Sequence, residues 1–577
     1  MSRVVRVLPD QPALDKEFDY RLTEEVAEAS PCREISIGTI VRVDLRGRRI
    51  RGWITELDVE EPKGITLSEI KKVSGVGPPA SLVSLAQWAS DRWLGTRAHF
   101  LRTATHTRIV PALPKTSASD KHKVVTQTLA EESFRRNGAV VRVAPSIDDF
   151  SFAVAAASRG RALILAPTLA RAQHLYVAMK RAGFDVALHP RDWPQSAAGS
   201  ITIGTRSAAW APIPKLDAVL VLDEHEESYQ QESAPTWNAR DVALERARRD
   251  KAPWVITSPS PSLEALTCGA PLLTEDRRRE RDGWAIFDLI DLRDRPPSAG
   301  SWCSEELARV LRKESRVVCV LNRKGRARLA YCEQCGTLAR SETSGKALGL
   351  EGDELVSALD GERRPAVCDA CSSRRFRRAK LGVSGVAEEL ELLTRRPVTE
   401  ITADDEIDSV DTDLTVGTEA VLHRISAADA VAFLDFDQEL LAPRYRAAEE
   451  AMALLVRASR IVGGRANSGR VIVQTRIPDH PVLRAAVNGD PGSLARTELD
   501  IRRQLRQPPE MNWAIVSGSA AEEFVQKIVV ADGLEIMGPY EGRWRIRSAS
   551  RELLVEHLKA VKRPNGRLRI EINPLRA

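Results

Sequence analysis

The chain has 577 residues, enough for about four domains, and 85 lysines and arginines against 80 aspartates and glutamates give it a formal net charge of +5. Its 43% hydrophobic and 29% charged residues exclude a disordered chain and a membrane protein. No uninterrupted apolar run reaches the roughly 18 residues of a membrane span, and residues 1–6 lack the apolar stretch of a secretory signal. The expected location is the cytoplasm, with no membrane partner.

The first part of the chain, 1–110, is predicted to be a β-rich domain. Residues 40–45 alternate apolar and polar side chains, a turn follows at 46–49, and residues 50–54 resume the alternation. Apolar residues at helical spacing predict a helix within 81–103. Residues 111–123 are polar and contain prolines, which is typical of a linker.

Short apolar strands alternate with helical segments from 124 to 475. The predicted strands are 139–143, 162–165, 201–203, 218–222 and 254–256, and then 316–321, 398–401, 414–416, 430–434 and 470–474. Helical segments such as 169–181 lie between them, a pattern typical of parallel βαβ units. The two sets predict two α/β lobes of the helicase type, at 124–290 and 291–475, followed by a small α+β domain at 476–577.

The strand at 218–222 ends in Asp223 and Glu224, the usual layout of a magnesium and water site beside bound ATP. The strand at 139–143 should lead into a phosphate loop, but the residues that follow contain neither glycine nor lysine and include Asp148 and Asp149. Without backbone amides and a lysine, the β- and γ-phosphates are not held. Asp223 and Glu224 are therefore either a relic of a nucleotide site or strand-end carboxylates kept for structure.

Four of the eight cysteines form two C-x-x-C pairs, Cys332 with Cys335 and Cys368 with Cys371, separated by 32 residues. Four thiolates bind one zinc tetrahedrally and leave no open position, so the sequence predicts one structural Zn²⁺ in an insertion at 331–372. The alternative is four reduced thiols without a metal. The remaining cysteines are isolated and are expected to be buried thiols.

Several segments occur in the order of known motifs. They are LDKEFDY at 14–20, IGTRSA at 203–208, DEHEESYQQE at 223–232, NARDVA at 238–243, PSLE at 261–264, LNRKG at 321–325 and CEQCG at 332–336. This series resembles the PriA family of bacterial replication restart proteins. The arginine-rich composition is similar to that of the actinobacterial branch of the family.

The resemblance implies a binding pocket for the 3′ end of a DNA strand. The family residues correspond here to Phe18, Asp19, Tyr20 and Gly38, with Arg46, Arg48 and Arg49 on the adjoining turn. An aromatic ring would stack on a base, Asp19 would accept from a terminal hydroxyl, the glycine would permit close backbone approach, and the arginines would hold phosphates. The alternative is that Phe18 and Tyr20 fill a small β core.

The chain departs from the family in its missing phosphate loop and in its arginine-finger motif, where Arg460 and Arg465 lie out of register. The resemblance therefore implies a monomeric primosome protein that binds forked or 3′-ended DNA and recruits other replication proteins, without ATP hydrolysis or unwinding. One alternative is an active ATP-dependent 3′ to 5′ DNA helicase with a diverged nucleotide site. The other is a protein-interaction scaffold that has lost DNA binding.

Overall fold

The structure is a computed structural model. It describes residues 3–11, 14–64, 66–115, 128–293, 302–322, 330–335, 337, 339, 348–356, 362–378, 383–401, 413–442 and 444–576. The predicted linker lies outside these residues from 116 onward. The chain divides into two compact units, the first made of Met1–Val143, Asp148–Glu275 and Thr497–Ala577, the second of Ala144–Ile147 and Asp276–Arg496.

The amino-terminal part of the first unit contains one antiparallel sheet. Its strands are β1 Arg3–Pro9, β2 Phe18–Leu22, β3 Ile40–Leu45, β4 Arg48–Glu56 and β5 Lys72–Gly75, in the spatial order β2-β1-β4-β3-β5, with a short helix α1 Glu24–Glu28 after β2. The turn between β3 and β4 has two residues, Arg46 and Gly47, with φ of 54° and 76°. Such a turn matches the twist of the two strands that it connects.

Both faces of this sheet are packed. One face contributes Val41 and other valines to a small core, and the opposite face packs Leu8, Ile40 and Trp53 against α2 Ala80–Trp93 and α3 Arg97–Ala104. The buried indole of Trp53 donates to the Thr105 hydroxyl at 2.9 Å. Neighbouring residues of one strand therefore face different cores.

The middle of the first unit is a seven-stranded parallel sheet in the order β12-β6-β11-β10-β7-β9-β8. Its strands are β6 Gly138–Arg142, β7 Ala162–Leu165, β8 Val186–Leu188, β9 Ile201–Gly204, β10 Ala218–Val221, β11 Trp254–Ser258 and β12 Leu272–Thr274. Its helices are α4 Thr128–Phe134, α5 Phe150–Ala157, α6 Leu169–Arg181, α7 Trp193–Ala198, α8 Ala239–Asp250 and α9 Leu263–Leu266. The central strands are continuous apolar runs, as a sheet covered on both faces requires.

The second unit contains a further parallel sheet and two small antiparallel sheets. Its strands are β13 Ile286–Asp291, β14 Val317–Val320, β15 Ala330–Cys332, β16 Gly349–Glu351, β17 Glu354–Val356, β18 Arg363–Pro365, β19 Phe376–Arg378, β20 Thr399–Ile401, β21 Leu414–Gly417, β22 Ala430–Phe433 and β23 Arg470–Thr475. Its helices are α10 Arg277–Asp282, α11 Glu305–Lys313, α12 Val383–Thr394, α13 Asp437–Leu440, α14 Ala447–Val462, α15 Pro481–Asn488 and the start of α16 Pro491–Gln504.

The parallel sheet of this unit has the order β13-β23-β22-β14-β21-β20. The boundary predicted between residues 290 and 291 falls inside β13, which pairs with β23 along its whole length. The small sheets pair β15 with β19 and join β16, β17 and β18. The cysteine pairs lie at the first of these small sheets.

The carboxy-terminal part of the first unit is an antiparallel sheet with two helices. Its strands are β24 Asn512–Ser517, β25 Leu534–Tyr540, β26 Arg543–Ser548 and β27 Arg569–Ile572, in the order β25-β26-β24-β27, and its helices are α17 Ala521–Gln526 and α18 Arg551–Ala560. The predicted fold class, two parallel-sheet lobes with a β-rich amino-terminal domain, is confirmed. The remaining domain boundaries stay predictions. Among the described helices, none is both long and apolar enough to cross a bilayer.

A cluster of charged side chains connects the three parts of the first unit. Asp241 on α8 accepts from Arg92 on α2 at 2.7 Å and from its neighbour Arg240 at 3.1 Å. Burial alone would raise the pKa of Asp241, but the charges of Arg92, Arg240 and Arg551 on α18 outweigh it and hold that pKa well below its usual range. Asp241 is therefore ionised and serves as the shared counter-charge of arginines from three parts of the first unit.

Replacing this carboxylate should destabilise the first unit. Asp241→Ala leaves Arg92 and Arg240 without their common partner, so we expect the free energy of unfolding to fall by about 2–4 kcal/mol. Urea denaturation followed by tryptophan fluorescence measures the change. Glu132→Ala on α4 is the control, because the Arg136–Glu132 pair is exposed and its loss should leave the urea midpoint unchanged. Equal shifts for the two variants would contradict the prediction.

Candidate functional site

The segment between β6 and α5 is the one in which the sequence lacks the expected phosphate loop. Asp149 is 5% exposed, and Arg171 at the start of α6 donates to its two oxygens at 2.7 and 2.5 Å. Asp148 accepts from the amide of Phe150, the first residue of α5, at 3.0 Å. Asp148 thus occupies one amide at the start of a helix, the kind of donor that a phosphate would use.

This geometry corrects one expectation from the sequence. The two acids that follow the strand, Asp148 and Asp149, would together repel a phosphate, but Arg171 neutralises Asp149. The negative charge without such a partner at this turn is therefore that of Asp148, which accepts from the amide of Phe150. Sequence reasoning missed Arg171 because 22 residues and a strand separate it from Asp149 and no local pattern relates the two.

Glu224 is engaged in a similar way at the end of β10. Its side chain is completely buried and accepts from the amide of Ser262 at 2.6 Å, from the Ser262 hydroxyl at 2.9 Å and from Arg240 at 2.9 Å. Ser262 in turn caps α9. Asp223, 1% exposed, precedes it with a left-handed φ of 53°. The hydrogen bonds of Glu224 hold α8 and α9 in place.

Arg240 links Glu224 to the charge cluster around Asp241. Burial would lower the pKa of Arg240, but the charges of Asp241 and Glu224 outweigh it and raise that pKa above its ordinary value. Arg240 and Asp241 belong to the NARDVA segment, for which the sequence suggested no role. The proximity of this segment to Glu224 follows only from the packing of α8 beside β10.

The two candidate arginine fingers are also engaged internally within the second unit. Arg460 donates to the carbonyl of Pro145 at 3.2 Å. Arg465 donates to the carbonyls of Arg281 at 3.2 Å and Val487 at 3.0 Å. Burial, together with the charge of Arg281, lowers the pKa of Arg465.

The two aromatic residues of the predicted DNA pocket have different environments. Tyr20 is 3% exposed, lies in the small core of the amino-terminal sheet, and donates to the carbonyl of Asp44 at 3.4 Å. Burial and the charge of Asp44 raise the pKa of Tyr20. Phe18 is half-buried at the start of β2, with the Lys16 ammonium 5.5 Å from its ring centre. Of the two rings, Phe18 is the one with surface left for a base.

Asp19 and Gly38 also have partners within the protein. Asp19 accepts from Arg6 at 2.9 Å, and its side chain keeps 21% exposure. A carboxylate has about four acceptor positions, so capacity remains for a ligand hydroxyl. Gly38 is buried with φ of 93°, and a Cβ there would lie 1.7 Å from the carbonyl oxygen of Pro78. The close approach that requires glycine at this position is to the protein's own backbone.

The three arginines of the β3–β4 turn are exposed. Arg46 lies within the turn, and Arg48 is the first residue of β4. Arg49 follows it and forms an exposed ion pair with Asp44 at 3.8 Å. Their guanidinium groups are accessible to phosphates. The structure therefore keeps Phe18, Asp19 and the turn arginines accessible, and places Tyr20 and Gly38 in the packed interior.

The four paired cysteines converge at the β15–β19 sheet. All four sulfur atoms lie within 4.8 Å of one another. The Sγ atoms of Cys332 and Cys371 are 3.5 Å apart, and those of Cys335 and Cys368 are also 3.5 Å apart. A tetrahedral site with Zn–S bonds of about 2.3 Å requires sulfur atoms about 3.8 Å apart. The donor set is therefore of the right type and size to hold a metal ion.

The thiol pKa values show that the four sulfur atoms interact strongly. The Thr337 hydroxyl, with the Thr337 amide, lowers the pKa of Cys335 to about 6. The Ser373 amide favours the thiolate of Cys371, but the neighbouring sulfur atoms outweigh it and raise the pKa of Cys371 to about 12. Four thiolates at this spacing repel one another, and a bound divalent cation would remove that repulsion.

Comparison with known proteins identifies relatives along most of the chain. Residues 6–105 match the family model of the PriA 3′DNA-binding domain (3′BD). The replication restart protein PriA of Rickettsia prowazekii is 24% identical over 596 residues, covering 90% of this chain and 89% of its own. This chain is related to the PriA replication restart proteins. The match to the PriA of Bacillus subtilis is 26% identical over 360 residues and covers 58% of this chain and 45%, about half, of that relative.

The PriA resemblance predicted from the motifs is thus confirmed. The matched PriA domain contains Phe18, Asp19, Tyr20, Gly38 and the β3–β4 turn. A solved DEAD box protein from Methanococcus jannaschii aligns over 66% of this chain and 91% of its own with 10% identity and a TM-score of 0.30. That score is too low to support any functional conclusion.

The buried position of Glu224 leads to a prediction that separates structure from catalysis. Glu224→Gln places an amide donor against the donors of Ser262 and Arg240, so we expect unfolding to become easier by about 1–3 kcal/mol. Chemical denaturation measures this change. Glu227→Gln is the control, because Glu227 makes a half-exposed pair with Arg576 and should have no effect. Unchanged stability together with loss of a measurable ATPase would instead assign Glu224 to catalysis.

Proposed function

We propose that this chain acts in replication restart by binding forked or 3′-ended DNA and recruiting other primosome and replication proteins. The observation that carries the proposal is the match of residues 6–105 to the 3′DNA-binding domain of PriA. The length of the alignment to the Rickettsia prowazekii relative supports a role of the same kind for the rest of the chain. A cytoplasmic location and a monomeric state belong to the same proposal.

The 3′ end would be held at β2. The half-buried ring of Phe18 would stack on the terminal base, and Asp19, fixed by Arg6, would accept from the terminal 3′ hydroxyl. Tyr20 and Gly38 would support this site from the interior of the sheet. Arg46, Arg48 and Arg49 would contact phosphates from the turn.

We further propose that the chain binds DNA without ATP-driven unwinding. The Asp149–Arg171 pair and the Asp148 contact with the amide of Phe150 occupy the turn that would hold phosphates. The Glu224 carboxylate, which would act beside a bound nucleotide, accepts hydrogen bonds from the amide and the hydroxyl of Ser262 instead. These contacts support a structural role for Glu224 at the end of the strand, with Asp223 beside it.

The metal would be a single structural zinc held by Cys332, Cys335, Cys368 and Cys371. A site with four thiolate ligands leaves no position for a substrate or a water molecule. The zinc would therefore stabilise the small sheets of the second unit and would not take part in a reaction.

A test of the DNA proposal compares DNA ends. Fluorescence anisotropy with a 3′-hydroxyl strand and the same strand ending in a 3′-phosphate should give about tenfold tighter binding of the hydroxyl end. Asp19→Asn should reduce that ratio toward one, because the amide is a weaker acceptor. Asp58→Asn, an exposed acid of the same domain, is the control.

Assays on the same purified protein distinguish the proposal from the two alternatives, a protein scaffold and an active helicase. No binding at low salt would support a protein scaffold, and fork-stimulated ATP hydrolysis above background would support an active helicase and reject the proposal. If Asp19→Asn still prefers the 3′-hydroxyl end over the 3′-phosphate end, Asp19 does not contact the terminal hydroxyl.

The zinc proposal predicts a metal content. Atomic absorption of the purified chain should give one zinc per molecule, and Cys368→Ser with Cys371→Ser should reduce it to near zero. The control is Cys268→Ser, which should keep the full content. Cys268 is an isolated cysteine that is exposed, so the expectation of a buried thiol was wrong at this position. A wild-type value near zero or two would contradict a single four-cysteine site.

A further inference from the structure

Three basic residues lie in register on adjacent strands of the amino-terminal sheet. Arg42 on β3 is directly opposite Arg51 on β4 and directly opposite Lys72 on β5. Residues paired in this way point to the same face, with Cβ atoms about 4.5–5.5 Å apart, and like charges in such positions destabilise a sheet. We refer to Arg42, Arg51 and Lys72 as the basic row.

The acids near the basic row are already engaged. The guanidinium group of Arg51 donates a hydrogen bond to the Asp10 carboxylate at 2.8 Å. Arg102 donates to the same carboxylate. A second acid, Asp44 on β3, lies 3.8 Å from Arg49 and 3.9 Å from Lys71.

Two members of the row lack a counter-charge. The side chains of Arg42 and Lys72 are exposed. Within the part of the chain that the structure describes, neither makes an ion pair or a side-chain hydrogen bond. Two uncompensated cations therefore remain side by side on this face.

We propose that the basic row binds backbone phosphates of the DNA whose 3′ end this domain holds, with Arg42 and Lys72 as the principal contacts. This inference rests on the proposed function. Neighbouring strands are about 4.8 Å apart, so a row across three strands is about 10 Å long. A DNA strand carries one charge per roughly 3.4 Å of helix axis, so more than one phosphate lies within that length. The row contains no aromatic ring, so it reads the backbone and not the bases.

The basic row is separate from the candidate end pocket. Phe18 and Asp19 lie on β2 at one edge of the sheet, whereas Lys72 lies on β5 at the other edge, with β1, β4 and β3 between them. On the face of the row, the packed Leu8, Ile40 and Trp53 occupy the neighbouring positions. Phosphates held at the row therefore belong to nucleotides some distance from the terminal one, and the row contributes affinity without selecting the chemistry of the 3′ end.

The test uses the full-length chain with Arg42→Ala and Lys72→Ala together. Anisotropy titrations with a labelled single strand and with a partial duplex that ends in a 3′ overhang are repeated between about 50 and 200 mM salt. Loss of two phosphate contacts should weaken binding several-fold at low salt and reduce the slope of log K against log salt by about 1.4 on the single strand and about 1.8 on duplex contacts. The ratio between 3′-hydroxyl and 3′-phosphate ends should stay as in the wild type.

The matched control is Arg33→Ala with Lys63→Ala, which removes two exposed cations of the same domain from positions outside the strands. It should leave the salt slope within the error of the wild type. Equal effects of the two double variants would overturn the basic row, because general charge would then explain the loss. A changed end preference in the Arg42 and Lys72 variant would assign these residues to the end pocket instead. Wild-type protein that binds neither probe would overturn the proposed function and the basic row together.

Discussion

The interaction on which much of the first unit depends is the contact of Arg240 with two carboxylates. On one side Arg240 donates to Glu224 at the end of the central strand β10, and on the other to Asp241, which also binds Arg92 of the amino-terminal domain. Charged groups removed from water are stable only when each has a partner. This requirement couples the end of the parallel sheet, helix α2 and the start of α18 around one guanidinium group.

The same principle applies at the turn between β6 and α5, where the sequence has no phosphate loop. A helix start presents amide groups that need an acceptor. At α5 the acceptor of the first amide is Asp148, and the buried Asp149 beside it is neutralised by Arg171. One carboxylate thus satisfies an amide at this helix start, and one arginine balances the buried carboxylate beside it.

The amino-terminal domain divides its residues between packing and exposure. Tyr20 and Gly38 lie in the packed interior. The Tyr20 hydroxyl donates to the carbonyl of Asp44, and the backbone at Gly38 approaches the carbonyl of Pro78 closely. Phe18, Asp19, the turn arginines and the basic row remain on the surface. The exposed cations of this domain are not all paired with acids of the protein. Such a surface attracts a polyanion.

The sequence by itself determined the elements and the relatives. Strong periodicity placed β3 at 40–45 and helix α6 at 169–181, as the structure has them, whereas β8, β12 and β13, which lie in or at the edge of the parallel sheets, were not predicted. The motifs and the cysteine spacing gave the PriA resemblance and the convergent thiols, since these signals are local. Only the tertiary structure decided which charges meet, because Asp149 and Arg171 are 22 residues apart and Arg92 and Asp241 are 149 apart. Burial, and with it the division between a structural Tyr20 and an accessible Phe18, depends on neighbours that only folding brings together.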